Sequence, residues 1–362
     1  MIQATSLVLA PPLLLATDGS PSAQFAQRLM RFVAPVFLGY EREEERSLLT
    51  ALTVLPRSSS RSKRLLRKKT IPFNDSDPSS PDPASQPAKS GEFMPSLESL
   101  TALVRRDFPD DFSLALEVHP GKPATEILNY ARTINAGLIA VGNKGASSTR
   151  ELLLGSVAAA ISRYAPCSVL IARQDTSASP QESSKERLNH VMVMVDGSAA
   201  AQQAIAAVRQ LIPAGIQQMT LIHVQIPVNS SYLIGPFVSP NPSWQLNQSL
   251  QSAQQEVGEE VLQQAKAALS PSNVEIQTRL QSGDPGPTIC QLAQELGADL
   301  LVLGCDPRRR TLRSPLEAFR GNRRGETPRP ALRNTRLSIT EDYAIHYAPC
   351  SVLLCRRSLP LE

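Results

Sequence analysis

Residues 142–157 read GNKGASSTRELLLGSV, a stretch whose residue types suit the binding of a phosphate. Gly142 and Gly145 flank two residues, nine more follow, and Gly155-Ser156 then opens a run with helical character. Glycines let a backbone approach an anion closely, and successive N–H groups can form an anion nest. The first turn of a helix adds unsatisfied N–H groups and the positive end of its dipole. Ser156 supplies a hydroxyl, and Lys144 or Arg150 can neutralise phosphate charge. The loop is neither a Walker A motif nor a dinucleotide GxGxxG, and neither pattern occurs elsewhere in the chain. Other chemistry finds little support. No Ser-His-Asp order or substrate-facing carboxylate pair stands out. The five cysteines show no CxxC spacing, and the four histidines have no zinc-like relation to them. Reduced, buried thiols are expected.

A site of this kind needs a strand before the first glycine and a helix after the last. Leu138–Val141 is short and wholly apolar, as a buried strand should be, and Ser156–Tyr164 has helical spacing. Upstream, Leu13–Ala16 reads as a first strand. It leads through Asp18-Gly19-Ser20-Pro21 into a helix that Ser20 can cap and Pro21 can start. Leu48–Leu55 and Phe112–Val118 read as strands, Pro123–Ile134 as a helix and Ser168–Ala172 as a last strand.

The same elements occur twice. LLLATDGS at 13–20 returns as VMVMVDGS at 191–198, and YAPCSVLIAR at 164–173 returns as YAPCSVLLCR at 347–356. The segments 120–142 and 282–304 also correspond. Asp18 lies 178 residues before Asp196, Gly142 lies 162 before Gly304, and Tyr164 lies 183 before Tyr347. The first half therefore carries a 16-residue surplus ahead of its fourth strand, and the second a 21-residue surplus behind its own. These surpluses coincide with the basic stretches. Residues 57–69 hold seven basic and no acidic side chains, and 305–336 hold ten arginines against Asp306, Glu317 and Glu326. The rest of a chain whose net charge is only +4 is accordingly acidic, which argues against a nucleic-acid binder. The domain organisation read from this is 11–173, with a basic and Pro-rich insert at about 56–96, a polar linker at 174–187, and 188–358, with an Arg-rich insert at about 305–336.

Short apolar strands alternating with amphipathic helices predict an α/β fold of two repeated, open, parallel five-stranded sheets with helices on both faces. Ligands in such sheets sit beyond the carboxyl ends of the strands, where the glycine turns fall. The second half is expected to have strands and helices at 191–195, 200–212, 219–226, 245–269, 274–280, 287–296, 300–303, 339–346 and 351–355. No apolar run reaches the ~20 residues of a membrane span. Pro11-Pro12 interrupts the apolar start, which reads as a short leader ahead of the first strand and not as a signal peptide.

The Gly142-x2-Gly145-x9-Gly155-Ser156 spacing, the Asp18-Gly19-Ser20 turn and the closing APCSVL strand resemble the universal stress protein family, in two tandem copies. That resemblance implies a Rossmann-like sheet of the adenine nucleotide alpha hydrolase type and an ATP site, with Mg²⁺. Gly142, Lys144, Gly145, Gly155 and Ser156 would line the triphosphate and ribose. Thr17, Asp18 and Val54 would face adenine and ribose, and Val141 and Val157, beside the glycines, complete the set. It also implies pairing through the last strands, here between the two halves or in a homodimer. The second half departs from the pattern: Cys305-Asp306 follows Gly304, and Ser338 and Ile339 stand where Gly155 and Ser156 would be. Its site is expected to be lost or altered. The function expected is that of a cytoplasmic, ATP-binding stress-response regulator. The rivals are a weak ATPase or nucleotide-dependent enzyme and a nucleotide-free scaffold.

Overall fold

The computed structural model describes residues 8–37, 48–55, 97–108, 112–145, 154–174, 188–227, 244–270, 272–306 and 337–356. The insert at 56–96 falls outside these, as do Arg150, residues 175–187 of the linker and 307–336 of the Arg-rich insert.

The first half runs β1 (Leu13–Ala16), α1 (Pro21–Val33), β2 (Leu49–Leu55), α2 (Leu97–Arg105), β3 (Leu114–Pro120), α3 (Pro123–Thr133), β4 (Leu138–Gly142), α4 (Ser156–Tyr164) and β5 (Ser168–Ala172). The second repeats it: β6 (His190–Met194), α5 (Ala199–Leu211), β7 (Gln218–Gln225), α6 (Trp244–Leu269), β8 (Glu275–Ser282), α7 (Pro285–Glu295), β9 (Leu300–Gly304), α8 (Ile339–Tyr347) and β10 (Ser351–Cys355). Among the described residues, no helix is long and apolar enough to cross a membrane.

The strands form one ten-stranded sheet in the order β3-β2-β1-β4-β5-β10-β9-β6-β7-β8. Every neighbouring pair is parallel except the central one, where Ile171, Leu170 and Val169 oppose Val352, Leu353 and Leu354 antiparallel. Each half thus has the order 3-2-1-4-5, which reverses direction between its first and fourth strands. Such a switch point leaves a crevice at the carboxyl ends, because the helices leaving the two strands lie on opposite faces.

Burial follows the two-residue period of a strand covered on both sides. Leu13 and Leu15 enter one core with α1 and α5 residues, and Leu14 and Ala16 enter the other with α4 and α8 residues. Both cores continue across the central pair of strands. Val8 and Leu9, ahead of β1, are also buried, and the Leu9 N–H donates to Gln210 Oε1 at 3.0 Å. Val8 and Leu9 therefore tie the first half to α5.

The repeated YAPCSVL-x-x-Arg motif builds the seam between the halves. Arg173, just past β5, donates to the carbonyls of Ala348, Ile345 and His346 at the end of α8. Arg356, just past β10, reciprocates by donating to Ala165 O at 3.1 Å and to Ser162 O at the end of α4. Each arginine places its cation at the negative end of the other half's helix dipole. Ser168 and Ser351 add hydroxyl contacts to the backbones of Arg356 and Arg173, and Arg163 pairs with Asp342 at 3.0 Å.

All five cysteines are buried and reduced. Burial, above all, pushes the Cys167 and Cys350 thiols up to about 12 and Cys290 to about 11, and raises Cys305 and Cys355 as well. Thiolate is the reactive form. Iodoacetamide at pH 8 is therefore expected to leave the native protein unmodified over an hour, and to modify all five thiols after unfolding, as read by intact mass. Rapid native modification would show that a thiol opens to solvent.

Candidate functional site

The crevice of the first half lies between the ends of β1 and β4. Thr17 closes β1, its N–H donating to Leu52 O at 3.0 Å and its hydroxyl accepting from the Gly19 N–H at 3.3 Å. Asp18 Oδ1 accepts from the Ser20 N–H at 3.0 Å, which makes a tight turn with Gly19 in the left-handed region at φ 76°. Ser20 caps α1 through the Ala23 N–H at 3.3 Å, and its hydroxyl donates across the crevice to Lys144 O at 3.5 Å.

On the opposite lip, the Asn143 N–H donates to Ala172 O at 2.9 Å, extending β4 by one residue past Gly142. The Gly155 N–H returns to Asn143 O at 2.8 Å. That bond seats the start of α4 directly on the Gly142–Gly145 turn. Gly145 faces the first lip, since a Cβ there would lie 3.1 Å from Asp18 Oδ2. Asp18, Ser20, Lys144, Gly145 and Gly155 are thus brought together at the carboxyl ends of β1 and β4, with Thr17, Gly142 and Ser156 close by in the chain, although Asp18 and Ser156 are 138 positions apart. Val54 and Val157 pack, half-buried, against the core cluster that includes buried Val141. Residues 146–153 of the loop, Arg150 among them, lie outside the described residues.

Two residues of this first crevice escaped the sequence reading. Asn143 is buried, and its carbonyl anchors Gly155. Its position between Gly142 and Lys144 was its only signal. Ser20 was read as a cap, but its bond to Lys144 O also joins the two lips.

The four helices that start at the two crevices differ in one respect. Ser20 caps α1, Ser198 caps α5 through the Ala201 N–H at 3.1 Å, and Ser338 caps α8. Gly155 begins α4 with no side-chain cap. A helix's first N–H groups need partners, and an anion is one that they accept.

The second crevice keeps the turn and changes the chemistry. Asp196 Oδ1 accepts from the Ser198 N–H at 3.0 Å, and Gly197 has φ 75°, as in the first half. A cleft of about 180 Å³ opens between Asp196, Ser198, Gly304, Asp306, Ser338 and Glu341. Asp306 now follows the strand where Lys144 does in the first half. At the helix start, Ser338 Oγ accepts from the Glu341 N–H at 3.3 Å, and Glu341 Oε2 accepts from the Ser338 N–H at 2.7 Å. This is a complete capping box, and the S-x-x-E spacing at 338–341 was its overlooked signal. Burial pushes the Glu341 carboxyl above its usual range, against the pull of Ser338 and of nearby Arg356.

Both the family and the fold have known counterparts. The model of the universal stress protein family matches residues 11–173 and 187–356. A universal stress protein of Bacillus subtilis is 47% identical over 53 residues, which are 15% of this chain and span only 36% of that relative's length. The crystal structure of a universal stress protein from Archaeoglobus fulgidus superposes at 17% identity with a TM-score of 0.52, covering 95% of this chain and 98% of the other. A family protein of Arabidopsis thaliana with AMP bound matches at 16% identity and a TM-score of 0.30, covering 47% of this chain and 92% of its own. With the family model matched twice in tandem, and together over most of its length, the chain belongs to the universal stress protein family.

Proposed function

We propose that the first half binds an adenine nucleotide, ATP with Mg²⁺, in the crevice between β1 and β4, and that the chain works as an ATP-responsive regulator. The observation that carries this is the bare start of α4. It is the one crevice helix, among the described residues, that begins on a glycine instead of a capping serine, and it sits on a glycine turn beside a lysine. Gly142, Lys144, Gly145, Gly155 and Ser156 receive the phosphates, and Thr17, Asp18, Val54, Val141 and Val157 surround the nucleoside. No group among the described residues is arranged as a nucleophile or a paired general acid and base, so the reading is one of binding. The far end of α4 is held by Arg356 of the second half, so an adjustment of α4 on its ligand is passed directly to the partner half.

Titration of nucleotide-stripped protein with ATP, ADP and AMP in Mg²⁺ tests this. One ATP per chain is expected, with a gain of about 2.7 kcal/mol in unfolding free energy at a hundredfold excess over Kd. Gly155→Glu should weaken binding at least about 100-fold, because it puts a carboxylate at the phosphate position. Gly155 has φ −63° and ψ 148°, which any residue adopts, so the variant should stay folded. A native chain that binds no nucleotide overturns the reading, and ATP turnover dependent on Lys144 or Ser156 would make the protein an enzyme.

A further inference from the structure

The two crevices share one sequence pattern, and aligning them on the APC motif shows what separates them. Gly155 corresponds to Ser338, Ser156 to Ile339 and Ala158 to Glu341. Ala158 is buried beneath the start of α4 and reaches nothing, whereas Glu341 turns back and bonds the Ser338 N–H at 2.7 Å. In the first half the matching N–H, of Gly155, is met by the neutral Asn143 carbonyl at 2.8 Å, so the second half has gained a carboxylate at its helix start. Ile339, 83% exposed, removes the hydroxyl of Ser156, and Asp306 puts an acid where Lys144 puts a base. The cleft itself has not filled in.

From this we infer that Glu341 is the specificity-determining residue of the second crevice: it sets a carboxylate at the helix N-terminus, beside Asp306 and Asp196, and so closes an otherwise formed cleft to phosphorylated ligands. The inference rests on the reading of the first half as a nucleotide site. The mechanism is charge. A polyphosphate entering the cleft would meet Asp196, Asp306 and Glu341 together, where the first half sets Lys144 beside Asp18 and has Ala158 in place of the glutamate. Like charges at such short range oppose entry strongly once water is displaced. With closure of this kind only the first half responds to nucleotide.

The test reads the second crevice alone, in a Gly155→Glu background that silences the first. Added Glu341→Ala, with or without Asp306→Lys, is expected to restore ATP binding to one per chain, at least tenfold tighter than in the parent. Glu341→Gln, which keeps the capping box but removes the charge, should likewise restore binding. Circular dichroism melts confirm that each variant is folded, and ATP-dependent protection of backbone amides at 338–341 from hydrogen exchange locates the ligand. Folded Glu341→Ala and Glu341→Ala/Asp306→Lys variants that bind no more tightly than their parent overturn the inference, as would two ATP per native chain. A native chain with no bound ATP instead fails the reading of the first half, and the opened variants report on Glu341 regardless.

Discussion

Arg356→Ala is expected to lower the unfolding free energy by about 3–5 kcal/mol, the cost of breaking a buried charge network from one side. The side chain is only 2% exposed and crosses from one half into the other. Its guanidinium serves Ala165 O and Ser162 O at the end of α4, and its charge lies near Glu341 and Cys305. Alanine would leave two helix-end carbonyls without their donor, a buried carboxyl without its neighbouring cation, and a void at the seam. Hydrogen bonds to charged groups contribute about 1.5–3 kcal/mol each. Arg173→Ala should cost less, because Arg173 is half-buried and water can replace part of its contribution. Lysine at 356 should recover only part of the loss, since an ammonium cannot present the planar fork that reaches two carbonyls. Urea denaturation, read as a shift in midpoint at constant slope, measures all three variants. A loss under 1 kcal/mol for Arg356→Ala would mean that the seam is held by its other contacts and by strand pairing, with little from Arg356. Loss of nucleotide-dependent change in the second half of a folded Arg356→Lys protein would identify this arginine as the link between the halves.

The elements legible in the sequence were those whose signals are local. β1, α4, β5 and β10 have the expected limits, because each is a short apolar run or a helix set off by a capping residue, glycine or proline. What failed depended on partners far along the chain. The third strand was expected to start at Phe112, but pairing with β2 begins at Leu114 opposite Leu49. Phe112 stacks on Phe108 with ring centroids 5.3 Å apart, so its apolarity belongs to a loop over the core. Helix α2 at Leu97–Arg105, directly after the proline-rich tract, gave no repeat signal and was not read. Val8 and Leu9 were read only as part of a short leader, because the surface that buries them, around Gln210, is contributed by the other half. In the candidate site, glycine spacing and the repeat placed Gly142, Gly145 and Gly155. The contrast between the two crevices turned on Glu341, whose meaning appears only when its carboxylate is seen folded back on Ser338.

Gly304→Ala should destabilise the protein by about 3 kcal/mol, the upper part of the range for overpacking, and Gly142→Ala by nearly as much. A Cβ on Gly304 would lie 1.9 Å from Ala200 O and 2.1 Å from Ala200 C, and one on Gly142 would lie 2.6 Å from Ser22 C and 2.7 Å from Ala23 N. These are backbone atoms in the first turns of α5 and α1, so relief requires a whole helix to move off the sheet. The glycine that ends the fourth strand is thereby explained in both halves without any ligand. It is the helix docking point, which is why Gly304 persists where Lys144, Gly155 and Ser156 have no like-for-like counterpart. Denaturation of both variants without nucleotide should show both losses. A Gly142→Ala protein as stable as the native chain, yet unable to bind ATP, would instead assign Gly142 wholly to the ligand. The distinction governs how the first crevice is probed. Loss of binding on changing Gly142 would report a displaced α1, whereas Gly155 has ordinary backbone angles and its nearest neighbour, Asn143 O, would be 3.2 Å from an added Cβ. Gly155 is therefore the position at which charge at the helix start can be altered with the scaffold left in place.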